Sequence, residues 1–342
     1  AGPCSAESEE QVMQTAKALE GKHVNMLRGG IWKPRTRPNT FEGVGEPALE
    51  WLKAAGEALN VPVTCEVAKP EHVEACLKHG IDVLWIGART TSNPFAVQAI
   101  ADRLRGVDVP VFVKNPINPE LALWMGALER MNAVGVKRLG AIHRGFSSFE
   151  NSSFRNNPLW TIPIELRRIA PEVPLVCDPS HICGKAELVE SVAQTALDLL
   201  FDGLMIEVHI DPPYALSDAK QQLTPDQFSQ VTERLEIKKL SSESQEYQTN
   251  MRILREEMDR IDAEIVELLA KRMEVSKTMA VYKSKNTIST FQPGRWNDVL
   301  KHAVQIAEKR NLPESFILNI YRNIHDESIR QQEEVLHKKT NE

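Results

Sequence analysis

The chain has 342 residues, with 41 Lys and Arg against 47 Asp and Glu and a formal net charge of −6, which excludes a nucleic-acid binder that works by overall basic charge. That length holds one large domain and a small one, each with material for a core, and no run of about 18 apolar residues is present to span a membrane. Five cysteines at irregular spacing (Cys4, Cys65, Cys76, Cys177 and Cys183) argue against a disulfide framework and for a reducing, cytoplasmic setting.

The amino end reads AGPCS, with no methionine, no secretory signal and no strand ahead of the turn, so what precedes Ala1 stays open. From there to about Ile237, short apolar runs alternate with amphipathic stretches. VNMLRGG, PVTCEVA, DVLWIGA, PVFVKNP, KRLGAIHRG, PLVCDPSH and GLMIEVH read as strands. EPALEWLKAAGEAL, PEHVEACLKHG, PFAVQAIADRLRG and PELALWMGALERMNAVG read as helices between them. Strands separated by helices predict a parallel sheet, and AGPC reads as the tail of an eighth strand, which predicts a (β/α)8 TIM barrel. An open doubly wound sheet is the alternative; it lacks its glycine-rich turn after the first strand.

A barrel carries its chemistry at the C-terminal ends of its strands. Taken in order, those ends present Cys4, Arg28, Glu66, Arg89, Lys114, Arg144, His181 and Glu207, all polar or charged. Closure brings Cys4 beside His181 and Glu207, with Asp218 in the loop that follows. A thiolate, an imidazole and two carboxylates predict one divalent metal ion, with Mn, Fe, Co and Zn all compatible. Singly, Cys4 reads as a small buried residue and His181 as a turn histidine; their convergence carries the prediction. Cys183, two residues on, reads as structural. Arg28, Lys33, Arg35, Arg89, Lys114 and Arg144 crowd the same mouth, and like charges so close need an anion among them. Forked guanidinium groups suit carboxylate and phosphate, so the expected partner is a small polyanionic substrate.

AGPCSAES, RGGIWKPRT, IGARTTSNP, VFVKNP, HRG, DPSH and EVH…ALSD occur in the order of the motifs of the 3-deoxy-D-arabino-heptulosonate 7-phosphate (DAHP) synthases, and residues 1–237 resemble the compact form of that family. A sister family that makes the eight-carbon sugar acid of lipopolysaccharide lacks KPRT. The resemblance implies a metal-dependent condensation of phosphoenolpyruvate with erythrose 4-phosphate. It implies Cys4, His181, Glu207 and Asp218 as metal ligands, and Arg28, Lys33, Arg89, Lys114 and Arg144 as the phosphoenolpyruvate site. Arg35 and Thr36, with Asp218, fall to erythrose 4-phosphate, and Lys33 lies closest to the reacting atoms as a proton donor.

At KKLSSESQEYQ the strand signal ends, which predicts a linker at 238–245 and a helical domain at 246–338. Met251, Leu254, Met258, Ile261, Ile265 and Leu268 form an apolar stripe, giving a helix of roughly 35–40 residues. NTISTFQPG breaks it, and two shorter helices follow near Trp296–Lys309 and Pro313–Leu336. Three helices give the first no partner of its own length, so the stripe predicts a homodimer, with a higher homo-oligomer open. Arg272 takes the stripe position seven residues after Ile265. Lys283 lies within about 20° of it around the axis, so the two could grip one dianion, whereas Arg255 is turned about 100° away. A coiled-coil dimer with ordinary edge charges is the plainer alternative.

LREEMDRIDAEIVELLAKRMEVSKTMAVYK and DESIRQQ resemble the all-helical chorismate mutases, in which an intertwined dimer shares its active sites. The resemblance implies that Arg255 is donated across the interface and that Arg272 and Lys283 bind carboxylate and ether oxygen, with Arg295, Ser328 and Gln332 completing the pocket. It departs at Trp296, where many members carry a glutamate that holds the substrate hydroxyl, and at Gln292, often a carboxylate. Two readings follow: a bifunctional enzyme whose mutase also regulates the barrel, or a synthase whose helical domain is mainly a dimerising chorismate or prephenate sensor.

Overall fold

The computed structural model describes residues 1–34, 39–148 and 153–340, with side chains through Leu336. They form two compact units, Ala1–Lys238 and Lys239–Glu342. The first unit runs α1 (Glu9–Ala18), β1 (Leu27–Arg28), α2 (Pro47–Leu59), β2 (Val63–Val67), α3 (Pro70–Lys78), β3 (Val83–Ile86), α4 (Ala88–Thr91), α5 (Pro94–Leu104), β4 (Val111–Lys114), α6 (Leu121–Ala133), β5 (Leu139–His143), α7 (Thr161–Ile169), β6 (Leu175–Cys177), α8 (Pro179–Cys183), α9 (Val189–Asp198), β7 (Gly203–Leu204) and α10 (Pro225–Arg234). Proline opens α2, α3, α5, α8 and α10, where its missing N–H leaves no bond unmade. Thr224 and Gln227 close a reciprocal cap on α10.

The strands pair in parallel in the order β1 to β7, from Leu27↔Val63 to Cys177↔Leu204. That order has no reversal, which excludes the open doubly wound alternative. Strand β3 reads VLWI with every residue buried, the continuous apolar pattern of a sheet covered on both faces. Trp85, Trp124, Leu27, Leu52, Leu84 and Ile100 are among the largest apolar side chains sealed in this core. All five cysteines are buried and unbridged.

The amino-terminal segment closes the curled sheet. Gly2 bridges Glu207 in parallel register, and its carbonyl accepts from Val208 N–H at 2.8 Å. On the other side Arg28 N–H donates to the Ala1 carbonyl at 2.9 Å. The predicted barrel is therefore present, with AGPC as its eighth member. The approach is so tight that a Cβ on Gly2, whose φ is +143°, would lie 2.1 Å from the Arg28 carbonyl oxygen. We expect Gly2→Ala to cost about 2 kcal/mol or more, read as a lowered midpoint in thermal denaturation of the full chain.

The second unit holds α11 (Gln245–Lys285), α12 (Pro293–Glu308) and α13 (Glu314–Thr340). Helix α11 has 41 residues, about 60 Å, because Ser244 caps it by accepting from Tyr247 N–H and no breaker intervenes before Asn286. Its carboxyl half buries Met273, Ser276 and Ala280. Its amino half and middle leave Leu254, Met258, Ile261, Ile265 and Leu268 between 38% and 65% exposed. No helix among the described residues is long and apolar enough to cross a membrane.

Candidate active sites

Two elements far apart in sequence meet at the barrel mouth. The Cys4 thiol and one carboxylate oxygen each from Glu207 and Asp218 lie within 4.8 Å of one another. His181 stands beside them, its Nε2 3.8 Å from Glu207 Oε1 and 4.0 Å from Asp218 Oδ2. Local bonds set each position. Gln222 Oε1 accepts from Cys4 N–H at 2.9 Å, and Ser180 Oγ accepts from Glu207 N–H at 3.0 Å. Asp178 caps α8 by accepting from His181 N–H, and its Oδ2 lies 2.8 Å from His181 Nδ1. Asp218 takes a left-handed backbone, φ +49°, at the turn that aims it inward.

The charges around this cluster are paired with care. Arg28, only 2% exposed, donates to Glu207 Oε1 at 2.8 Å and to the Cys4 carbonyl at 3.1 Å. Lys33 Nζ lies 3.0 Å from Cys4 Sγ. Burial, then the Glu207 and Asp218 charges, push the Cys4 thiol up to about 12, against the pull of Lys33 and Arg28. Burial would raise Asp218, but His181, Arg155 and Lys33 hold its carboxyl well below the usual range. Burial lowers the His181 imidazole from its ordinary value against the opposing pull of Asp178 and Glu207, and with Asp178 beside Nδ1 its Nε2 is the nitrogen that faces Glu207 and Asp218. An imidazole, two carboxylates and a thiol that can lose its proton suit a divalent cation.

Above the cluster lies a cavity of about 70 Å³ whose walls include Lys33, Glu66, Arg89, Lys114, Arg144 and Arg155. Lys114 Nζ reaches Asp178 Oδ2 at 2.6 Å, and Arg144 donates to Asn156 Oδ1 at 2.8 Å. Burial, aided by Arg155 and Arg89 against Asp178, pulls Arg144 down to about 10. A bound anion would relieve that repulsion. Of the predicted cations, Lys33, Arg89, Lys114 and Arg144 line this cavity. Arg28 does not; it braces Cys4 and Glu207. Arg35 and Thr36 fall outside the described residues.

The helical unit has a cavity of its own, about 230 Å³, with Arg272, Lys283, Arg295, Trp296, Ser328 and Gln332 among its walls. Lys283 Nζ donates to the Thr290 carbonyl at 2.5 Å and to Gln332 Oε1 at 3.2 Å. Gln332 Nε2 donates to Ser276 Oγ at 2.8 Å, and Ser276 and Ser328 share a bond of 2.5 Å. No Asp or Glu stands among the lining residues, and Gln292 and Trp296 hold the two positions where the resemblance anticipates carboxylates. Arg255 is 17 positions before Arg272 on α11, about 25 Å along the axis, and lines a separate groove with Tyr247 and Asp259.

Residues 1–244 match the DAHP synthetase I family. The chain belongs to that family. Residues 254–333 match chorismate mutase type II. The phospho-2-dehydro-3-deoxyheptonate aldolase of Thermotoga maritima is 31% identical over 241 residues, which cover 70% of this chain and 69% of that protein. A 2-dehydro-3-deoxyphosphooctonate aldolase of Koribacter versatilis is 28% identical over 243 residues, covering 65% and 84%. The crystal structure of the Thermotoga DAHP synthase superposes with a TM-score of 0.60 at 29% identity, over 68% of this chain and 66% of that one. Two enzyme domains of the shikimate pathway, a DAHP synthase and a chorismate mutase, thus share one polypeptide.

Three polar residues of the DAHP synthase mouth escape the motif reading. Arg155 pairs with Asp218 Oδ1 at 3.2 Å and donates to Gln221 Oε1 at 2.7 Å. Gln221 in turn donates to Glu207 Oε2 at 2.6 Å. Asp178 joins Lys114 to His181. Arg155 sits in an irregular segment and Gln221 ends a three-residue 3-10 turn, where no periodicity marks them. Asp178 lies in the DPSH motif itself, three residues ahead of a histidine, and its helix-capping position was the available signal.

Proposed function

We propose that the barrel domain condenses phosphoenolpyruvate with erythrose 4-phosphate to DAHP, and that the helical domain rearranges chorismate to prephenate. What carries the first reading is the meeting of Cys4, His181, Glu207 and Asp218 beneath a cavity walled by Lys33, Arg89, Lys114 and Arg144. Those four residues would hold one divalent ion, Mn, Fe, Co or Zn, their thiol, imidazole and carboxylate donors fitting any of these. When bound, such an ion supplies Lewis-acid polarisation of the aldehyde oxygen.

The chain's own groups do the rest. Arg89, Lys114 and Arg144 hold the phosphate and carboxylate of phosphoenolpyruvate, a task for which forked and point cations at one wall are suited. Arg28 supports that wall from below. Lys33, the ammonium beside Cys4, is the proton donor nearest the reacting centre. Arg35 and Thr36 of the KPRT motif take the erythrose phosphate, together with Asp218. The single assay that tests this measures DAHP formation with each of the four metals added to chelator-treated protein; no product with any of them refutes it.

In the helical domain Arg272, Lys283 and Arg295 grip the carboxylates, with Ser328 and Gln332 beside them. Arg255 reaches this pocket from a second copy, through a homodimer that buries the exposed α11 stripe; this leaves the barrels free to associate further. The lack of any carboxylate in the cavity wall favours a second role, binding of chorismate or prephenate as a signal to the barrel. Residues 238–245 serve as the linker between barrel and helices in a cytoplasmic enzyme. Cleaving the chain near Ser242 is expected to leave condensation in the barrel fragment and to abolish its response to added prephenate. A fragment still inhibited by prephenate argues against regulation through the helical domain.

A further inference from the structure

We infer that His325 is a ligand-contacting residue of the helical-domain cavity, its Nε2 hydrogen-bonding an uncharged oxygen of a small dicarboxylate. This rests on the reading of that cavity as a chorismate and prephenate site. His325 lies on α13 with Ser328 and Gln332 at intervals of three and seven, so all three share a face, and all three line the cavity. Its ring is stacked on Trp296 with centroids 4.0 Å apart and planes 10° from parallel, and Phe291 stands 5.8 Å away. That stack fixes the ring plane. Its Nε2 is buried, yet meets no hydrogen-bond partner among the described residues.

A buried ring nitrogen without a partner is costly unless a ligand supplies one. Three neutral groups of the wall are committed to one another or to Lys283: Ser276, Ser328 and Gln332 bond together, and Lys283 takes Gln332 Oε1. Charge decides what His325 can receive. Arg272, Lys283 and Arg295 already supply three positive charges for a dianion. Burial, then the charges of Arg272 and Lys283, keep the imidazole neutral against the pull of Asp326. A neutral ring among cations serves a hydroxyl or carbonyl oxygen, accepting from one or donating to the other according to its tautomer. The Trp296 side chain thus replaces a carboxylate with a platform that orients a different hydrogen-bonding group.

The test is calorimetric titration of the full-length protein with prephenate and with chorismate. His325→Phe keeps an aromatic ring against Trp296 and removes the nitrogen; we expect about tenfold weaker binding at an unchanged thermal midpoint. His325→Gln, which restores an amide donor and acceptor, is expected to recover most of that loss. Binding by His325→Phe within about twofold of wild type overturns the inference, as does a Gln variant no better than the Phe variant. Arg272→Ala separates the two levels of argument: if it abolishes binding while His325→Phe does not weaken it, only the role of His325 fails. A wild-type chain that binds neither compound overturns both readings.

Discussion

Cys4→Ala is expected to lower the rate of DAHP formation by on the order of a thousandfold with the barrel still folded. The fold survives because the bonds that fix residue 4 run through its backbone. Its N–H donates to Gln222, and its carbonyl accepts from Arg28 and Lys33. Only the sulfur is lost, and the sulfur is the one soft donor in the cluster. Its removal leaves two carboxylates and an imidazole, a set that holds a hard ion loosely. The same loss is expected from chelation of the wild-type protein, restored by added metal in the wild type and not in the variant. Cys4→Ser, with a donor oxygen in the same place, falls between the two. Steady-state rates at defined metal concentration decide the matter; near-full activity of the Ala variant in chelated buffer would remove Cys4 from the ligand set.

The sequence and the structure agree most closely where burial dictates pattern. Runs such as VLWI and VFV stay apolar because helices cover the outer face of the sheet and the packed barrel interior fills the inner one, so the strands and their polar ends are visible in one dimension. Closure by AGPC was legible from the barrel hypothesis, but the reason Gly2 must be glycine was not: it lies in the approach of the Arg28 carbonyl. Strand ends place residues at the mouth without saying at which depth. Arg28 and Lys114 end β1 and β4, yet one lies under the cavity and the other in its wall. Arg155 and Gln221 depend on the path of a loop and a short 3-10 turn, which no spacing rule encodes. His325 was within reach, since it precedes Ser328 by three on a face already singled out.

Arg255→Ala and Arg272→Ala are each expected to depress mutase activity by roughly two to three orders of magnitude, as loss of a buried charge partner does. Arg272 lines the cavity, while Arg255 sits about 25 Å along the same helix, far beyond the reach of its own side chain. A defect at Arg255 therefore has to act through another copy. Its surroundings suit that: Leu254, Met258, Ile261 and Ile265 are exposed on the amino half of α11, and a two-fold pairing of that stripe would carry Arg255 of one chain toward the cavity of the other. The two variants should then rescue each other. In an equimolar mixture allowed to exchange subunits, half of the dimers are mixed and one of the two sites in each is whole, so about a quarter of wild-type turnover returns. Dilution below the dimer constant should erase the recovered activity. A mixture as inactive as its components, assayed by chorismate disappearance, would place both arginines in one chain's own site or leave Arg255 without a part in it.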